Sequence, residues 1–306
     1  MCRVLSYLGQ PILLQELLYK PDNSLITQSY NPKFMTAQML NLAGFGFAAW
    51  DKRSIDADRP FIYRSHLLPF YDKNLHNFSA KLKANCLIAH VRGIEYSDKN
   101  VVSDQNVHPF MFDGSPIAFA HNGTLTGLKE MKLDLLQHMK LEYRTQISGT
   151  TDSEIMYALF LTQLAATRRA LSITTVFSAL IDTLSLLKDM RKKHNIAISS
   201  PLNFFISNGD FIVASRFVFD YGQYPSSAYA SPHMGYHSLW YTFGEQYGCY
   251  DGVYQMKASK KMNSIIIASE PLTGDTTTWV EVPEYSVIGA TFSGGKMLIK
   301  SLDIAL

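Results

Sequence analysis

Residues 116–139 read PIAFAHNGTLTGLKEMKLDLLQHM, and within this one stretch the period of the apolar residues changes. PIAFAHNG is a short apolar run closed by polar residues, as expected of a strand buried in a sheet. From Thr124 onward apolar residues recur at every third or fourth place, which predicts a helix. Upstream, the same strand-like reading applies to VLSYL (4–8), GFGFAAW (44–50), FIYRS (61–65) and CLIAHVR (86–92). The glycines of GFGFAAW mark a strand that another segment approaches closely. Pro11 is placed to start a helix over ILLQELLY (12–19), and LHNFSAKLKA (75–84) has helical spacing.

Downstream, TDSEIMYALFLTQLA (151–165) and VFSALIDTLSLLKDMRKK (176–193) read as two long helices whose apolar residues serve core packing. After them LNFFISN, DFIVASRF, HSLWYTF, NSIIIAS, YSVIGAT and KMLIKSL follow as strands, separated by turn-forming residues. The order is strands, then helices, then strands, with no linker and no repeat. It predicts an α+β protein of two sheets sandwiched with helices, over 1–306 as a single domain. A split into two domains near residue 195 is the less economical alternative. Residues 219–237, FDYGQYPSSAYASPHMGYH, read as an inserted surface loop.

Composition narrows the function classes. The chain is 47% apolar and 18% charged, which suits a folded globular protein of 306 residues. A net charge of +2 without a dense Lys/Arg run leaves no electrostatic footprint for nucleic acid. Three cysteines, Cys2, Cys86 and Cys249, cannot build a disulfide framework, so a reducing cytoplasm is expected. Cys86 and Cys249 read as small buried hydrophobes. No stretch reaches the roughly 18 apolar residues of a membrane span, and Gly9, Gln10 and Pro11 interrupt what could have been a signal peptide core.

The chemistry-bearing residues sit where apolar strands end, at HVR (90–92), HNG (121–123) and TDSE (151–154). Arg92 could fork onto a carboxylate or simply reach the surface. Asn122-Gly123 is either a turn or a pair of donors aimed at an oxyanion. Thr151 to Glu154 has the spacing of a capping box, which accounts for Asp152 without any catalytic role. His90, His108 and His121, with Cys86 four residues before His90, raise the question of a metal. The spacings of known metal motifs are missing, so no metal and no cofactor are expected, and the histidines read as satisfied core residues.

Taken in order, MC at the start, HVR, NVHPF (106–110), AHNG (120–123) and TDSE resemble the class II glutamine amidotransferases of the N-terminal nucleophile (Ntn) hydrolase superfamily. The chain is similar to the stand-alone members that carry no synthase domain, such as the γ-glutamyl hydrolase of ergothioneine synthesis and the amidotransferase subunit of glutathione degradation. IIIASEPLTGDTTTWVEVP (265–283) resembles their late-strand segment. The resemblance implies a four-layer αββα sandwich. It also implies Cys2 as nucleophile once Met1 is removed, Asn122 and Gly123 as oxyanion hole, Arg92 as partner of the substrate α-carboxylate, and Asp152 as partner of its α-ammonium. One departure is Ala43 in LAGFGF (42–47), where such relatives usually have Asp; it bears on substrate identity and leaves the reaction type intact.

The residue types suit that reading. A thiol is only slightly ionised at neutral pH, its pKa being about 8.5, whereas an α-amine near 7.7–8.0 can take its proton. A cysteine freed at the amino terminus therefore carries nucleophile and base in one residue. The expected reaction is hydrolysis of a γ-glutamyl amide through a γ-glutamyl thioester, releasing glutamate and an amine or ammonia. The expected partner is the small-molecule substrate, with a further enzyme subunit needed only if ammonia is passed on; neither membrane nor nucleic acid is involved. Two other readings share the same start: an Ntn amidase of bile-salt or penicillin-amide type, and a non-catalytic γ-glutamyl-binding subunit.

Overall fold

A computed structural model describes residues 2–34, 40–93, 102–223 and 237–306. Most of the expected loop at 219–237, residues 224–236, lies outside the described residues.

Strand β1 (Arg3–Leu13) runs through the middle of a seven-stranded sheet. The order is β13 (Val280–Glu281), β9 (Trp240–Gly244), β12 (Ser264–Ala268), β1, β4 (Lys83–Val91), β2 (Phe45–Trp50) and β3 (Phe61–Ser65). The second sheet runs β15 (Lys296–Asp303), β14 (Ser286–Ser293), β7 (Phe211–Arg216), β6 (Ser200–Ser207) and β5 (Ala118–Gly123), and β8 (Val218–Phe219) pairs with β6. A separate hairpin joins β10 (Tyr247–Tyr250) to β11 (Val253–Met256).

Alternation along the strands explains why the two sheets stack. Side chains on a strand point to opposite faces in turn. Val4 and Leu8 of β1, Cys86 and Ile88 of β4, Ala118 and Ala120 of β5, and Ile212 and Ala214 of β7 share one apolar layer between the sheets. The residues between them face outward. In the first sheet Leu5, Tyr7, Leu87 and Ala89 meet Leu17 and Leu18 of α1 (Gln15–Leu18) and Leu75 of α3 (Lys73–Ser79), with Ile26 just before α2 (Thr27–Tyr30). In the second sheet Phe119, Phe204, Ile206 and Val213 meet the longer helices. Those are α4 (Leu128–Gln137), α6 (Asp152–Ala166) and α7 (Ile173–Lys193), with the single turn α5 (Leu141–Arg144) beside α6. The result is the four-layer αββα sandwich, in which the central strands of both sheets are covered on both faces while the edge strands β3 and β15 stay largely exposed. No helix among the described residues is long and apolar enough to cross a membrane.

Four local expectations need correction. Pro11 does not open a helix: β1 continues to Leu13, and its register against β4 shifts between Leu8 and Ile12. A proline is tolerated in a strand at such an irregularity, where its missing N–H costs no ladder bond. Asn122-Gly123 is no turn, because the ladder with β6 runs on through Asn203 and Leu202. Cys249 is exposed on the β10–β11 hairpin, whereas Cys86 is buried as expected. The capping box is only half formed. Thr151 Oγ1 accepts from the Glu154 N–H at 3.3 Å, but the Glu154 carboxylate reaches past Thr151 to the N–H groups of Ser148 (3.0 Å) and Gly149 (2.7 Å).

The glycines of GFGFAAW do mark a close approach, and NVHPF is what approaches. A Cβ at Gly46 would lie 2.2 Å from the His108 carbonyl oxygen, and one at Gly44 would lie 2.7 Å from Val107 Cγ2. Gly44 also has φ +125°, a conformation that side chains disfavour.

Candidate active site

Antiparallel pairing brings the start of the chain to HVR. Arg3 pairs with Val91 and Val4 with His90, so one further step along the ladder sets Cys2 beside Arg92. Cys2 is buried, with its Sγ 3.7 Å from the Gly93 carbonyl. Arg92 does not reach the surface; it is 4% exposed. Its N–H donates to the Gly44 carbonyl at 2.8 Å and its carbonyl accepts from Ala43 at 2.9 Å. The position of the Ala43 departure is thus a wall of the same place. Burial lowers the Arg92 pKa, while negative charge at Cys2 and at Asp152 acts in the opposite sense. One guanidinium therefore lies in the field of both.

Asp152 is the first residue of α6, where a carboxylate suits the positive end of the helix. Its Oδ2 accepts from the Leu125 N–H at 2.7 Å, and its Oδ1 accepts from the Ser153 hydroxyl at 3.1 Å. His121 Nδ1 stands 3.0 Å from the same Ser153 oxygen. Burial holds the His121 pKa below its ordinary value, against the attraction of Asp152. A neutral ring with its proton on Nδ1 donates to Ser153, which in turn donates to Asp152. The head of α6 is thereby tied to residues 121–125, the end of β5 with Asn122 and Gly123 and the residues just after it.

Asn122 is fully buried. Its Nδ2 donates to Ser269 Oγ at 3.1 Å, and its Oδ1 has no hydrogen-bond partner among the described residues. Gly123 has no substitute, since a Cβ there would lie 1.8 Å from the Pro201 carbonyl oxygen. That close approach holds the backbone of β5 at the point where the strand leaves the sheet.

The remaining histidines behave differently from the expectation of satisfied core residues. His90 and His108 are buried with ring centroids 4.1 Å apart, and no ring nitrogen of either is hydrogen-bonded among the described residues. Burial, with the Arg92 cation nearby, pushes His90 down to about 3 and His108 well below its usual range. Both are neutral at physiological pH. No group of His, Cys, Asp or Glu suited to a metal ion occurs among the described residues.

Three residues of this region escaped the sequence reading. Arg3 is 3% exposed; its Nε binds Glu270 Oε1 at 2.7 Å and its Nη1 donates to the Cys2 carbonyl at 2.9 Å. Ser269 Oγ accepts from the Val4 N–H at 3.0 Å. The available signals were a charged residue inside the apolar opening strand and the polar pair Ser-Glu closing IIIA. Neither says that the two meet.

Comparison with known proteins agrees with this architecture. The family model described as "Glutamine amidotransferases class-II" matches residues 74–298, a span that contains Arg92, Asn122, Gly123 and Asp152. The chain is 30% identical over 304 residues to the probable glutamine amidotransferase DUG3 of Saccharomyces cerevisiae, covering 94% of this chain and 81% of the yeast protein. It is 29% identical over 125 residues to the γ-glutamyl-hercynylcysteine sulfoxide hydrolase of Mycobacterium tuberculosis, covering 41% of this chain and 50% of that one. Among solved structures it resembles a glutamine aminotransferase class-II domain protein from Silicibacter pomeroyi, with TM-score 0.59 and 19% identity over 98% of this chain and 99% of that one. It also resembles the glutamine phosphoribosylpyrophosphate amidotransferase of B. subtilis, with TM-score 0.58 and 17% identity over 99% of this chain and 49% of that one. These two likenesses bear on the fold alone, which is that of the Ntn-type amidotransferases. The chain belongs to the class II glutamine amidotransferases, and its activity is of the glutamine amidotransferase or γ-glutamyl hydrolase type.

Proposed function

We propose that this enzyme hydrolyses a γ-glutamyl amide with Cys2 as an amino-terminal nucleophile. With Met1 removed, the Cys2 α-amine takes the thiol proton, directly or through a water. The sulfur then forms a bond to the γ-carbonyl carbon, and the carbonyl oxygen becomes an oxyanion facing the Asn122 amide and the Gly123 N–H. Collapse breaks the C–N bond, and the proton held by the α-amine leaves with the amine. Water, deprotonated by the same α-amine, attacks the thioester, releasing glutamate and restoring the thiol. Arg92 pairs with the substrate α-carboxylate, and Asp152 pairs with its α-ammonium.

The observation that carries this reading is the strand register that sets Cys2 beside the buried Arg92, whose guanidinium also feels the negative charge of Asp152. A cation and an anion at one end, with a sulfur beside them, match a glutamate head group whose side-chain carbonyl reaches the nucleophile. The Asp152 oxygens, each already accepting one hydrogen bond, keep further lone pairs for an ammonium. The leaving side is less constrained. The name of the mycobacterial relative points to an amine larger than ammonia, which makes γ-glutamyl conjugates a candidate substrate class here.

The test offers processed protein glutamine, γ-glutamyl dipeptides and acylated amino acids that lack a glutamate head group. Glutamate should appear from the first two and no product from the third, and Cys2→Ala should release none. A covalent γ-glutamyl adduct on Cys2, trapped with a γ-glutamyl diazo-ketone and read by mass spectrometry, is the direct check. Turnover by Cys2→Ala at the rate of the unaltered enzyme sinks the mechanism.

A further inference from the structure

The pair Ser269-Glu270, at the end of β12, touches the opening of β1 through more bonds than pairing of the strands requires. Ser269 donates its N–H to the Val4 carbonyl at 2.9 Å, and its hydroxyl oxygen accepts from the Val4 N–H at 3.0 Å. Both backbone groups of Val4, two residues beyond Cys2, are thus held by one serine. The same hydroxyl oxygen takes the Asn122 Nδ2 donor at 3.1 Å. An amide nitrogen has two N–H groups, so one is committed to Ser269 and one remains.

Glu270 acts on the other side of the same strand. Its Oε1 holds the Arg3 Nε at 2.7 Å, and Arg3 Nη1 holds the Cys2 carbonyl at 2.9 Å. Its Oε2 accepts from the Lys33 N–H at 2.9 Å and from Asn23 Nδ2 at 3.4 Å. The carboxylate is fully buried and Arg3 is 3% exposed, an arrangement that survives only when both charges are paired and hydrogen-bonded. Holding the Cys2 carbonyl restricts rotation about the bond that orients its α-amine and side chain.

We infer that Ser269 and Glu270 are positioning residues for γ-glutamyl hydrolysis: they set the place of the Cys2 sulfur relative to the second N–H of Asn122. The inference rests on the reading of Cys2 as nucleophile and Asn122 as oxyanion donor. Its physical basis is that nucleophile and oxyanion donor sit on different sheets, β1 in one and β5 in the other, and Ser269 Oγ bridges them directly. The layer between the sheets is mostly apolar and its packing is non-directional apart from bonds such as Cys86 Sγ to Ser207 Oγ at 3.1 Å, whereas catalysis responds to shifts of about 1 Å with losses on the order of a hundredfold. A shared hydroxyl adds a directional bond at the reacting atoms.

The experiment compares Ser269→Ala with Ser269→Thr in processed enzyme, measuring kcat and KM for glutamine together with thermal unfolding. The Ala variant should lose about thirtyfold in kcat with KM within about threefold, and the Thr variant, which keeps a hydroxyl, should recover most of it. A folded Ser269→Ala enzyme with kcat near that of the unaltered protein overturns the inference. So does an equal loss in folded Ala and Thr variants, which would make the hydroxyl irrelevant. Should Ser269→Ala not fold, Arg3→Lys keeps the charge facing Glu270 while removing the fork to the Cys2 carbonyl. A fall in kcat at constant KM then supports the inference, and unchanged kcat overturns it. If the unaltered enzyme neither turns over glutamine nor labels at Cys2 with the diazo-ketone, the nucleophile reading itself has failed, a result separable from either of these.

Discussion

The two ends of the site are built from different materials. The Cys2 end is made of extended strands, held by backbone bonds, the Ser269 hydroxyl and a buried ion pair between residues 267 apart in sequence. The Asp152 end is made of a helix N-terminus and the turn after β5, held by local bonds from Leu125 and Ser153. A strand-built end fixes where an attacking atom lies. A helix-built end offers field and charge to a ligand, with more tolerance in position. Changes to Cys2 and to the groups that position it or face its target are therefore expected to act on kcat, and changes to the charged partners proposed for the head group, Arg92 and Asp152, on KM.

The largest effect should come from Cys2→Ala, which removes the proposed attacking atom: glutamate release should vanish while binding of the γ-glutamyl head group, measured by calorimetry, survives. Asn122→Ala should follow, lowering kcat by about a hundredfold to a thousandfold with little change in KM, as for loss of one oxyanion donor. Arg92→Lys keeps the charge but loses the planar fork, so steady-state kinetics should show KM raised by roughly thirtyfold and kcat reduced much less. A kcat effect there as large as that of Asn122→Ala would mean that Arg92 serves the attack itself and would erase that contrast. Ser153→Ala removes one donor to Asp152 and the link to His121. It should raise KM only several-fold, in line with a single hydrogen bond of about 1 kcal/mol.

The buried histidines sharpen the comparison without touching activity at neutral pH. His90 has a folded-state pKa near 3 against an ordinary 6.5, so between those values the unfolded chain binds the extra proton. The stability due to keeping His90 neutral is complete above pH 6.5 and is lost as pH falls toward 3, at roughly 1.4 kcal/mol per pH unit. His108, also displaced downward, should add to that slope. Urea unfolding across this range should show a shallower acid slope for His90→Phe; an unchanged slope would mean that His90 is already charged in the fold.

Much of this was legible along the chain. CLIAHVR and PIAFAHNG read correctly because residues buried on both faces of a sheet form unbroken apolar runs, and the six late strands were found as well, although β15 is largely exposed. α6 and α7 were legible as long, regularly spaced segments. ILLQELLY was right for its helical QELL and misled at its start, because β1 stays extended through Pro11 to Leu13 under the pull of pairing with β4, which no local pattern reports. Cys249 misled because a lone cysteine in a tyrosine-rich hairpin carries no information on burial.

By itself the sequence determined the layers and the residues at the strand ends, since side-chain period and polarity are local properties. Only the tertiary structure decided that Arg3 meets Glu270, that Ser269 joins Val4 to Asn122, and that Arg92 feels the charge of both Cys2 and Asp152. Those partners are brought together by ladder register and by the stacking of one sheet on another, and neither leaves a periodic trace in the chain.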